Sequence, residues 1–169
     1  MKKRRRSPTI FLLLVVLLIS FVIPVGCRIA VLLLQHGANP QCDDFSPLGT
    51  ATWMRTPDVV TALVEHGADV NAVDMYGNRP LLDAAADKMS SSRLLLLARG
   101  AAPNVRRQGS LRTPLIEATG SGNTALARAL LEKKADLTLK DARGKTALDL
   151  AREYNRGEIV ALLKQASAK

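Results

Sequence analysis

Aromatic residues make up only 4% of this 169-residue chain, with a single Trp. An apolar content of 47% therefore rests on aliphatic side chains, which suits Leu/Ala-rich helix pairs and argues against a sandwich or barrel. Only two cysteines (Cys27, Cys42) and two histidines (His36, His66) are present, with no C-x-x-C pair and no metal-like cluster. A Cys27–Cys42 disulfide would have to bridge a helix over 28–36, about 13 Å long. No G-x-S-x-G, H-E-x-x-H or Gly-Lys-Thr loop occurs. The tetrapeptide GSGN at 120–123 falls at a turn between helices, whereas a phosphate cradle needs a preceding strand. Asp43-Asp44, Asp74 and Asp141 read as turn residues bonding their own backbone. No acid, base, nucleophile or metal set converges, so the chain is expected to be no enzyme and to need no cofactor.

Charge excludes less than its total suggests. The net charge is +9, but five basic residues lie within the first six positions. The remaining 19 basic and 15 acidic residues make an ordinary surface, and no nucleic-acid partner is expected.

What the chain has is a period. Pro47-Leu48, Pro80-Leu81, Pro114-Leu115 and Ala147-Leu148 recur at steps of 33, 34 and 33 residues. Gly37-Ala38, Gly67-Ala68, Gly100-Ala101, Lys134-Ala135 and Ser167-Ala168 keep time with them. Two markers sharing one period define a repeat array. Pro or Ala suits a first helical turn, where a missing N–H costs nothing. Ser46, Thr113 and Thr146 precede it as N-caps. Gly37, Gly67 and Gly100 suit the left-handed residue that ends a helix, and His36, His66 and Arg99 sit at the negative end of the helix dipole.

The segments HGADVNAVDMYGNRPLLDAAAD (66–87) and KKADLTLKDARGKTALDLARE (133–153) resemble ankyrin repeats. The resemblance covers residues 27–169 and implies an all-α solenoid of helix-turn-helix pairs joined by hairpin loops. The expected units are a partial one at 27–42 and repeats at about 43–74, 75–107, 108–141 and 142–169. Helix pairs are expected near 47–65, 80–98, 114–133 and 147–165. The His that follows Pro-Leu in the family is replaced by Gly49, Leu82, Ile116 and Asp149. The resemblance implies that this His tethers neighbouring units, so weaker coupling is expected. The first hairpin is one residue short between Asn39 and Pro47, the second one long between Asn104 and Pro114, and Arg79 replaces a capping Thr.

MKKRRR precedes an apolar run from Ile10 to Cys27. Residues 1–26 therefore read as a signal peptide or transmembrane anchor, with the basic end cytoplasmic and the repeats extracytoplasmic, periplasmic if the envelope has two membranes. The run's 18 residues lie between the lengths of a signal core and a spanning helix. Val25-Gly26-Cys27 is a poor cleavage site. IPVGC resembles a bacterial lipobox, which makes Cys27 a candidate lipidation site. Retention in a membrane also suits the segment 28–36, apolar nearly all round, whose partner helix would fall at about 16–25.

The resemblance further implies a concave face that grips another protein. Its expected contacts are Trp53, Met75, Tyr76, Arg106, Arg107, Arg112, Arg143 and Lys145. Hairpin charge runs from −3 over 37–46 and 67–79 to +5 over 100–113 and 134–146, a gradient that would orient an oppositely graded partner. Trp53 is either such a contact or a wedge against the adjoining repeat. Together these features give a monomeric, membrane-tethered, non-catalytic scaffold or inhibitor. The alternatives are a secreted effector acting on a host or rival protein, and an accessory or protective subunit of an envelope enzyme.

Overall fold

The computed structural model describes residues 31–41, 46–74, 77, 79–86 and 90–168. The expected signal or anchor segment, the lipidation candidate Cys27, and Met75 and Tyr76 lie outside the described residues. Among those residues no strand occurs and no helix is long and apolar enough to cross a membrane.

After a helical stretch at 31–35, four helix pairs follow. They are α1 (Pro47–Trp53) with α2 (Pro57–Glu65), α3 (Pro80–Ala86) with α4 (Ser90–Ala98), α5 (Pro114–Ser121) with α6 (Thr124–Glu132), and α7 (Ala147–Glu153) with α8 (Gly157–Ser167). The first helices α1, α3, α5 and α7 pack in one row, and α2, α4, α6 and α8 in a second behind it. This is the expected solenoid, with pairs where the period places them.

Three of the four first helices are capped at their N-termini by side chains. The amides of Gly49, Ile116 and Asp149 donate to the side-chain oxygens of Ser46, Thr113 and Thr146 at 2.9, 3.3 and 3.2 Å. At Thr146 the cap is reciprocal, since its own N–H donates to the Asp149 carboxylate at 2.9 Å. Gly37, Gly67 and Gly100 have φ of +83°, +85° and +88°, which glycine adopts without steric cost. Lys134 holds the same place at φ +60°. A second left-handed position, at the turn inside the first, third and fourth pairs, falls on Arg55, Gly122 and Asn155.

Between the rows runs one continuous core, carried by Leu48, Leu63, Leu81, Leu96, Leu115, Leu126, Leu130 and Leu150. Small residues such as Ala84, Ala85, Ala118, Ala127 and Ala151 are buried among them, so the helix axes can approach closely.

Coupling between units does not depend on the missing His. Gln41 donates to the Gly67 carbonyl at 3.3 Å, and Asn71 donates to the Gly100 carbonyl at 3.2 Å while accepting from Ala102 N–H at 2.9 Å. Asn104 accepts from Asp136 N–H at 2.8 Å. Each side-chain amide thus reaches from one exit loop to the next. Arg99 adds a bond to the Val64 carbonyl at 3.3 Å, closing off an exposed helix end. The ladder also corrects the count of the first hairpin. Gln41, not Asn39, takes the place of Asn71, and Gly37 lies ten residues before Pro47, where Gly67 and Gly100 lie thirteen and fourteen before Pro80 and Pro114. Arg79 offers no capping hydroxyl, and its guanidinium instead donates to the Asn71 carbonyl at 2.5 Å.

Candidate functional site

The inner row ends toward solvent in a graded set of side chains. Trp53, Ala86, Gly120 and Glu153 stand at equivalent positions near the C-terminal ends of α1, α3, α5 and α7. Trp53 is 70% exposed, so it is not a wedge between repeats. The small residues that follow it leave a hollow of about 430 Å³, lined by Thr52, Trp53, Arg55, Asp83, Ala86, Arg107, Arg112 and Glu117.

The floor of this hollow is ionic. Arg107 leaves the loop between α4 and α5 and donates to the Asp83 carboxylate and the Leu82 carbonyl, both at 3.0 Å. Its Nε lies 3.5 Å from Glu117 Oε1, and Arg112 Nη1 lies 2.9 Å from Glu117 Oε2. One guanidinium therefore clamps α3 to α5. Sequence reasoning treats Arg107 and Arg112 as open hairpin charges, but both are held by acids of the first helices. Asp83 and Glu117 are the residues it missed. They follow Pro80 and Pro114 by three positions, which places them in the first turn of each helix, where the dipole favours an anion. Burial pushes the Asp83 carboxyl above the ordinary range, with Arg107 acting against the shift and Asp74 adding slightly to it.

Arg112 continues the strip. It crosses Gly120, where a Cβ would stand 2.9 Å from its Nη2, and its Nε is buried without a hydrogen-bond partner. Tyr154 flanks the same glycine, and the Arg143 guanidinium lies close to the Tyr154 side chain. Trp53, Arg112, Arg143 and Lys145 thus fall on connected parts of one face, with Lys145 3.6 Å from Glu153. Arg106 does not join them: it donates to the Lys140 carbonyl at 2.6 Å and ties successive hairpins together. Gly77 has a similar part, since a Cβ there would collide with Gln108.

The hairpin before α7 turns around Asp141. Its carboxylate accepts from the amides of Arg143 and Lys145, each at 2.9 Å, with the Arg143 Nε at 3.4 Å. Burial alone would raise this carboxyl, but the two amides and Arg143 hold it below the ordinary range. Asp149 is lowered by the Thr146 amide and hydroxyl. Among the described residues no group of His, Cys, Asp and Glu is arranged to hold a metal ion.

The comparisons agree with this architecture. A family model of ankyrin repeats (3 copies) matches residues 81–169. Protein PhlB of Serratia liquefaciens is 42% identical over 106 residues, covering 63% of this chain and 47% of that protein. Cyclin-dependent kinase 4 inhibitor B of Rattus norvegicus is 33% identical over 120 residues, covering 71% of this chain and 92% of the inhibitor. Cyclin-dependent kinase inhibitor 2A of Homo sapiens is 34% identical over 122 residues, covering 71% and 76%. The chain spans about half of PhlB but most of either kinase inhibitor. The periodic caps, the left-handed exits and these matches establish that the chain belongs to the ankyrin-repeat family.

Proposed function

We propose that this protein is a non-catalytic scaffold or inhibitor that grips another protein along its inner face and is tethered to a membrane through residues 1–26, with the repeats on the extracytoplasmic side. The observation that carries the binding reading is Trp53, 70% exposed beside a hollow whose floor is fixed by ion pairs. Burying such an aromatic against a partner releases far more free energy than a solvated charge does. Two relatives bear the name of kinase inhibitors, which is in keeping with a part played by binding alone. The tether rests on MKKRRR and the apolar run behind it.

Site-specific photo-crosslinking in the native membrane tests the reading. A crosslinker at Trp53 is expected to capture a discrete partner, and one at Arg128, exposed on α6, to capture none. Equal capture at both positions overturns the inner-face assignment. A reporter fused after Lys169 that works only in the cytoplasm overturns the topology.

A further inference from the structure

Exposure divides the charges of the inner face by sign. Asp83, Glu117 and Asp141 side chains are 11%, 10% and 3% exposed, while their partners Arg107, Arg112 and Arg143 are 25%, 27% and 55% exposed. The acids lie underneath and the guanidiniums lie above them. Lys145 stands on the same side with Glu153 as its partner, and Arg55 borders the hollow. What an approaching molecule meets is mostly cationic, with Glu153 the exposed exception at 40% beside Lys145 at 47%, and it is interrupted by the rings of Trp53 and Tyr154.

Resting on the inner-face reading above, we propose that the occupant is a short acidic segment of the partner protein, carrying an apolar side chain that packs on Trp53. The chemistry is complementary at each point. Arg107 and Arg112 are already immobilised by Asp83 and Glu117, so little side-chain entropy is lost when they meet a second carboxylate. Their counter-ions orient them and leave 25% and 27% of the two side chains exposed. Trp53 and Tyr154 are three repeats apart. With stacked helices about 9 Å from axis to axis, that is about 27 Å, or roughly eight residues of extended chain. A basic segment of the same length would face like charge along this path.

The test is selection of a displayed library of random linear 12-residue peptides on the purified full chain in detergent micelles. Selected peptides are expected to be several-fold enriched in Asp and Glu, and to lose affinity with rising salt. For a synthesised winner, Trp53→Ala should weaken binding by about tenfold or more, and Arg143→Glu by several-fold, with melting of each variant checked first and Arg143→Ala used if the reversal unfolds. Peptides without acidic excess that still depend on Trp53 overturn the acidic occupant and leave the inner face as the binding surface. Peptides indifferent to both substitutions, or failure to select any, overturn the inner-face reading along with it.

Discussion

The middle repeats and the last one stay folded by different means. In α3 to α6 each helix has neighbours on both sides, and Leu81, Leu82, Leu96, Leu115, Ile116, Leu126 and Leu130 are buried almost completely. The pair α7 and α8 is stacked on one side only. Its buried apolar set shrinks to Ala147, Leu150, Ala151, Ile159 and Leu163, while Leu148, equivalent to the buried Leu48, Leu81 and Leu115, is only half-buried. Its far side opens as a hollow of about 350 Å³ among Leu137, Leu148 and Leu163. Local devices make up part of the difference: the reciprocal Thr146–Asp149 cap and the Asp141 turn. A unit stacked on both sides draws on two interfaces, and a unit stacked on one side draws more on itself.

The largest effect expected from this contrast is at Leu126. Leu126→Ala should cost about 2–5 kcal/mol, whereas Leu148→Ala should cost clearly less, because partly exposed atoms lose less on truncation. Chemical unfolding of the two variants decides it, and equal costs would break the comparison. Next comes Glu117→Gln, which leaves Arg107 and Arg112 without their shared carboxylate. A loss of about 1–3 kcal/mol is expected, together with greater exposure of the α3–α5 contact in hydrogen exchange. Thr146→Ala should cost about 1 kcal/mol, with fraying confined to α7 by the same measurement. Loss spreading into α5 would show that the last repeat is not independent.

The smallest effect is acid–base, and its sign differs between the regions. The carboxyls of Asp141 and Asp149 are held low, so their stabilising share is present above the ordinary Asp value and lost as pH falls through their depressed values. The Asp83 carboxyl is raised, so its share is greatest below the ordinary value and lost as pH rises through the raised one. Carboxyl-carbon NMR titration should find Asp83 titrating above Asp141 and Asp149. The reverse order would contradict both electrostatic assignments.

The fold was legible because each repeat announces itself locally. Ser46, Thr113 and Thr146 cap helices whether or not their neighbours are known, and glycine at 37, 67 and 100 meets a local backbone demand. The candidate site was half legible. Trp53 is legible as a large aromatic at the end of a first helix, but its setting beside a hollow depends on Ala86 being small in the next unit. Arg107 and Arg112 read as hairpin charges in the sequence because composition does not reveal that Asp83 and Glu117 lie beneath them. The side-chain amide ladder was missed for a related reason. Gln41, Asn71 and Asn104 share a register only when counted from the preceding Gly-Ala pair, and the hairpin before Pro47 differs in length from the others.

That ladder has a mechanical consequence. Each of its bonds leaves one exit loop and lands on the next, so along the ladder a pull on the loop at Asp136 passes through Asn104 and Asn71 in turn toward Gly67. Load is passed on link by link, like tension along a chain of hooks. A partner grasping two distant hairpins can therefore flex the array by a small rotation at every joint, and no single joint has to give way for the curvature to change.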